Sequence, residues 1–143
     1  MKNSRRRARE FALQALYQWL VNASTAETLL AQLREQKDFL KADQSLLETL
    51  VRGVIENADA LRKLISPVLD REMKALSPVE HALLLLSVFE LRDQTQTPYK
   101  VIINESIELA KSFGGTDGHK YVNGVLDKLV SGIRPDETGA RRV

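Results

Sequence analysis

The most restrictive stretch of the sequence is SPVEHALLLLSVFELR, residues 77–92. Ser77, Pro78 and Glu80 supply an N-cap, a first-turn proline and an acid three residues after the cap, the pattern that starts a helix. Leu83, Leu84, Leu85, Leu86, Val88 and Phe89 then surround the axis instead of marking one side. A helix that is apolar all round must be buried all round, so other elements have to wrap it. The apolar run 82–89, interrupted only by Ser87, is far shorter than the roughly 20 residues that cross a bilayer. Its surroundings must therefore come from the rest of the chain.

The flanking segments offer that cover with the same periodicity. Ala8, Phe11, Ala12, Ala15, Leu16 and Trp19 fall on one helical face, which predicts a helix from about Ser4 to Val21 with Asn3 or Ser4 as cap. Residues 22–25 read as a turn, and Leu29, Leu30 and Leu33 carry a shorter helix to about Gln36. From Asp43 a stripe through Leu47, Leu50, Val51, Val54, Ile55, Ala58, Leu61 and Ile65 predicts two further helices, broken or kinked near Asn57, before Pro67 ends the pattern. Beyond the central helix, Ile103, Ile107 and Ala110 mark another. Val122, Val125, Leu126, Leu129, Val130 and Ile133 mark the last, which should stop near Gly132. There is no alternating strand pattern and no repeat of fixed period. The expectation is an all-α chain of about seven helices with a frayed tail from Pro135 to Val143.

Composition narrows the chemistry. The 143 residues include no cysteine, which excludes disulfides and thiolate catalysis. Glu10, Gln14 and Gln18 interrupt the apolar positions near the N-terminus, so the segment lacks the continuous apolar region of a secretory signal. Net charge is only +2, yet Lys2, Arg5, Arg6, Arg7 and Arg9 against Glu10 give the first ten residues a local +4. Positive side chains at a helix start oppose the macrodipole, each by about 0.3–1 kcal/mol, where stability alone would favour Asp or Glu. That pattern points to a partner outside the fold. Arg6, Glu10, Leu13 and Tyr17 share a narrow sector clear of the densest apolar stripe, and basic groups leading to an aromatic suit single-stranded nucleic acid. A solvated basic terminus is the plainer alternative.

A second stretch, SFGGTDGHKYVNGVLDKL at 112–129, places Gly114, Gly115 and Gly118 within five positions. A phosphate loop needs GxxxxGK followed by Ser or Thr, after a strand; here His119 follows Gly118 and a helix precedes. Gly114 or Gly115 reads as the left-handed end of one helix, and Thr116 or Asp117 as the cap of the next. His119, Lys120 and Tyr121 in that helix's first turn would still suit a phosphate and a stacked base. Gly124, inside the helix at a cost of about 1 kcal/mol against Ala, predicts a close helix crossing. Catalysis finds little support. His81 and His119 are the only histidines, neither at a metal-ligand spacing, and Ser112, Asp117 and His119 crowd one loop. The reading is a binding protein, not an enzyme, with no cofactor and no metal.

Three stretches also carry a family resemblance: RRRAREFALQALYQW, PYKVIINESIELAKSFGG and HKYVNGVLDKL. In this order, with the helices between them, they resemble the NusB transcription antitermination factors from about Asn3 to Pro135. The resemblance implies a single RNA-binding domain of seven helices in two packed subdomains, about 1–75 and 76–134. It implies binding of single-stranded boxA RNA in ribosomal RNA leader transcripts together with NusE, a small-subunit ribosomal protein. Assembly with NusA and NusG on RNA polymerase, in the cytoplasm, would then let the enzyme read through terminators. The resemblance also admits a homodimer that hides the RNA face.

Carried over position by position, Arg5, Arg6, Arg7 and Arg9 resemble the cluster that contacts the RNA backbone, with Tyr17 further along the same helix. Phe113, Asp117, Lys120 and Tyr121 resemble the second half of the RNA face, Asp117 serving either base-edge hydrogen bonding or helix capping. Glu80 is similar to an acidic residue near the NusE contact, and it also completes the capping box. Tyr121 stands where a phenylalanine is common, which preserves stacking and adds a hydroxyl. Two rivals stand beside this reading. One is a helical protein-interaction module whose basic end meets an acidic protein. The other is a detached RNA-binding domain of a methyltransferase, since NusB-like domains occur fused to such enzymes.

Overall fold

The structure, a computed structural model, describes residues 3–113 and 118–139. Among these residues there are seven α-helices, three single-turn 3-10 segments and no strand. The chain divides into two packed units after Asn57, a point inside a helix and not in the connection near residue 75.

In the first unit, α1 (Asn3–Asn22) buries Ala8, Ala12, Leu13, Ala15 and Leu16, mostly small residues that let a neighbour approach closely. Ala23, at φ 55, closes the helix by donating its N–H to the Trp19 carbonyl at 2.8 Å. Thr25 then caps α2 (Ala26–Arg34) by accepting the Thr28 N–H at 3.2 Å. α2 packs against α1, and its Leu29, Leu30 and Leu33 are buried. A 3-10 turn at Phe39–Lys41 follows, where the Phe39 ring meets Phe11 at 6.2 Å between centroids. Asp43 caps α3 (Gln44–Ile65) by accepting the Leu46 N–H at 3.0 Å, while its own N–H reaches the Ser4 carbonyl at 2.9 Å. One residue thereby ties the start of α3 to the start of α1.

α3 corrects the expected break. It is one helix of 22 residues, and Asn57 donates its side-chain N–H to the Gly53 carbonyl at 2.7 Å. The amide is satisfied on the helix's own backbone one turn back, so it has no need to interrupt the helix. Of the apolar stripe, all but the partly exposed Ile55 is buried from Leu46 to Ile65, and Pro67 ends the helix in a 3-10 turn at Ser66–Val68.

In the second unit the expected start of α4 (Pro78–Asp93) is present in full. Ser77 Oγ accepts the Glu80 N–H and Glu80 Oε1 accepts the Ser77 N–H, both at 3.1 Å. Every residue from Ala82 to Leu91 is buried. α5 (Tyr99–Phe113) and α6 (Gly118–Ile133) pack on α4 and on each other. Where α4 meets α5, the hydroxyls of Ser87 and Ser106 lie 2.5 Å apart, each also reaching the carbonyl four residues earlier on its own helix at 2.8 Å. Small polar residues whose hydroxyls are satisfied locally allow that approach without an orphaned group.

Two expectations fail at the C-terminal side. Gly124 is exposed, and among the described residues nothing lies within 4 Å of a Cβ added there, so no close crossing explains it. Pro135 onwards is not frayed as far as Thr138, because Pro135–Thr138 forms the short α7. The cause is Arg134, only 7% exposed. Its guanidinium donates to the carbonyls of Glu90 (3.3 Å), Leu91 (2.5 Å), Gln94 (3.0 Å) and Thr97 (3.0 Å), at the end of α4 and in the turn after it. Arg134 also donates to the Glu137 carboxylate, which accepts the Tyr99 N–H at 3.1 Å from the start of α5. Burial alone would raise the Glu137 carboxyl, but the Tyr99 amide and the Arg134 charge outweigh it and hold it below the usual range.

Candidate nucleic-acid interface

The arginines of α1 differ in environment within one turn and a half. Arg5 is exposed, with Nη1 3.7 Å from the Asp43 carboxylate. Arg6 is exposed, and Arg7 is partly exposed with Nη1 3.7 Å from Asp38. Arg9 is buried, 3% exposed, and this corrects its assignment as a surface contact. At about 100° per residue, the buried positions 8, 9, 12, 13, 15 and 16 form one arc of about 160°, and Arg9 falls inside it. Leu13 lies in the same arc, 2% exposed, so the sector that the sequence groups with Arg6 is not exposed along its whole length. Tyr17, 38% exposed, continues that sector toward the middle of the helix.

Asp38 is the sequence's unannounced contribution to this end of the unit. It stands in the left-handed region, φ 70, before the Phe39–Lys41 turn. Its carboxylate lies 3.2 Å from Lys41 Nζ as well as 3.7 Å from Arg7. The Lys41 hydrogen bond, helped by the Arg7 and Lys37 charges, holds the Asp38 carboxyl below its ordinary range.

The second candidate stretch lies at the end of α5 and the start of α6. Phe113, the last residue of α5, is 47% exposed, and Lys120 is exposed. Asp117, with Gly114, Gly115 and Thr116, lies outside the described residues. Tyr121 is partly exposed and held on two sides that sequence spacing does not reveal. Its hydroxyl donates to Asp70 Oδ1 at 3.1 Å, and the Arg71 guanidinium lies 4.2 Å over its ring. Asp70 and Arg71 are fifty residues away, in the connection between α3 and α4, which only the fold brings here. Hydrogen bonding to Arg71, then to Tyr121, holds the Asp70 carboxyl low, while burial and then the Asp70 bond push the Tyr121 phenol up. Glu80 adds a weaker negative influence on both Arg71 and Tyr121, though its hydrogen bonding goes to the capping box.

His81 is paired with Arg62 within the second unit. His81 Nε2 accepts from Arg62 Nε at 3.2 Å, and burial followed by the Arg62 charge lowers its pKa to about 4. It is neutral at pH 7 and serves as an acceptor. Among the described residues no group of three or more His, Cys, Asp or Glu is placed to hold a metal ion, and no helix is long and apolar enough to cross a membrane.

Known proteins resemble this chain over almost its whole length. The NusB family model matches residues 6–131. The chain is 54% identical to the transcription antitermination protein NusB of Paraburkholderia phytofirmans, covering 99% of both chains. Identity to the protein of the same name from Burkholderia thailandensis is 55%, over 99% of this chain and 97% of that one. Among solved structures, NusB of T. maritima matches with a TM-score of 0.81 at 29% identity, over 97% of this chain and 99% of that one. A chain from a complex of the antitermination factors NusB and NusE with double-stranded RNA matches with a TM-score of 0.77 at 20% identity, over 92% and 99%, a likeness of fold.

Proposed function

The chain belongs to the NusB family of transcription antitermination proteins, and we propose that it binds boxA-type single-stranded RNA of ribosomal RNA leader transcripts together with NusE. The mechanism is assembly, without catalysis. Bound RNA and NusE would recruit the chain to RNA polymerase with NusA and NusG, in the cytoplasm, and the complex would pass terminators. The observation that supports it most is the exposed pair Arg5 and Arg6 with partly exposed Arg7, at a helix end where their charge costs stability. Phosphates would be neutralised there, and Tyr17, Phe113 and Tyr121 would stack unpaired bases. Because Arg71 covers one face of Tyr121, a base would stack on the other, with Lys120 in the same turn for its phosphate. Asp117 would serve a base edge or cap α6, and Glu80 would lie near NusE.

The test is titration of a labelled boxA RNA, a scrambled strand and a duplex of the same length, at several salt concentrations, with and without NusE. Preference for single-stranded boxA that sharpens with NusE is the expected outcome. Equal, salt-sensitive binding to all three would leave only a basic patch. If four to six phosphates are engaged, the logarithmic salt slope should be roughly −3 to −4.

A further inference from the structure

The sequence resemblance draws attention to α1, but the same unit holds a second group of cations that α1 reaches. The connection between α2 and α3 borders an open concavity of about 630 Å³ lined by Arg34, Gln36, Asp38, Phe39, Lys41 and Gln44. Lys37 adjoins it and is exposed. Leu40 stands 84% exposed on its rim. Cations, amide side chains, a partly exposed ring and an apolar ledge are the groups that hold one or two unpaired nucleotides.

The charges say what the surface lacks. Asp38 sits between Arg7 and Lys41, and Asp43 sits beside Arg5, all at 3.2–3.7 Å. A carboxylate therefore already neutralises Arg5, Arg7 and Lys41, the cations a phosphate would meet there. These carboxylates are partly exposed, so exchanging one for a phosphate does not leave a buried charge behind.

We propose that the RNA surface of this unit extends from α1 across the α2–α3 connection, where Lys37, Lys41 and Phe39 take nucleotides flanking those held by Arg5 and Arg7, and that Asp38 and Asp43 are the internal anions RNA phosphate displaces. The inference rests on the RNA reading above. An acidic protein would meet the same cations, but the continuity with α1 through Arg5 and Arg7, and the ring and amides inside the concavity, favour RNA.

Two kinds of substitution separate the parts. Asp38→Asn removes charge alone, because asparagine is among the few residues at ease at positive φ. Asp43→Asn likewise keeps a helix cap. The measurement is fluorescence anisotropy of the full chain with two labelled single strands, a boxA-type RNA and the same RNA extended by four nucleotides at each end, over a salt series, with thermal melts confirming the fold. The expected result for Lys37→Ala/Lys41→Ala is about five- to tenfold weaker binding to the extended strand, a salt slope flatter by about 1.4, and little change on the short strand. Asp38→Asn should bind the extended strand about threefold or more tightly, with a steeper slope. Unchanged binding by the lysine variant, or equal or weaker binding by Asp38→Asn, overturns the inference while wild-type binding leaves the RNA reading standing. Loss of NusE binding with RNA binding intact assigns the surface to protein and also overturns it. Failure of wild type on both strands removes the RNA reading first and the inference with it.

Discussion

Arginine does opposite work at the two ends of this chain. At the start of α1, Arg5 and Arg7 face carboxylates at 3.7 Å and remain open to solvent, an arrangement worth little to stability and ready to exchange partners. After α6, Arg134 is buried and spends its donors on four carbonyls and a carboxylate. The first group is held loosely because its anions share it with water; the second is held firmly because its guanidinium is buried and its bonds to Glu90 and Leu91 are made away from solvent. Charge alone does not tell a binding residue from a structural one, and the number of desolvated partners does.

The sharpest way to break that contrast is Arg134→Met. It removes the side-chain donor from the four carbonyls and leaves Glu137 without its cation, and should cost about 3–5 kcal/mol, read as a fall in Tm of about 10 °C or more. A shift of a degree or two would put Arg134 in the same class as the α1 arginines. RNA affinity of the folded fraction should stay as in wild type.

Arg62 offers an intermediate case through His81, whose folded pKa is about 4 against 6.5 unfolded. Between these values the unfolded chain binds the extra proton, so stability is full above pH 6.5 and declines as pH falls through the window, by up to about 3 kcal/mol. His81→Gln keeps an acceptor for Arg62 and should flatten this part of a stability–pH curve. A curve of unchanged slope would mean that other groups cause the acid loss.

Surface arginines should show the converse behaviour. Arg6→Ala/Arg7→Ala is expected to weaken RNA binding about tenfold or more and flatten the salt slope by about 1.4, with Tm nearly constant. An unchanged slope would refute their role. Tyr121→Ala should cost about 1–3 kcal/mol of RNA binding, whereas Tyr121→Phe keeps the ring and loses only the Asp70 bond. If both variants lose the same affinity, the hydroxyl and not the stack carries the contact. The smallest effect is expected of Gly124→Ala, a gain of about 1 kcal/mol in stability, since open space surrounds the added methyl group. A loss there would point to a partner that approaches α6 closely.

Helix by helix, much of this architecture was legible in the sequence. Its capping box and its 3.6-residue apolar spacing are local patterns, and local patterns determined α1, α2, α4, α5 and α6 close to their observed limits. The same spacing could not tell that Asn57 would bond back to Gly53 instead of breaking α3, because a polar side chain admits both outcomes until its acceptor is in place. Nor could it separate Arg9 from Arg7, two residues apart, since only packing decides which side of a helix becomes dry. Asp70 and Arg71 beside Tyr121, Asp38 between two cations, and Arg134 over the end of α4 are pairings across 31 to 51 positions of sequence in all but the shortest cases. Periodicity acts within a few turns, so it determined which segments are helical and which face is apolar. Tertiary structure decided which charges stay exposed and which are desolvated, because desolvation belongs to the assembled surface and not to any one segment.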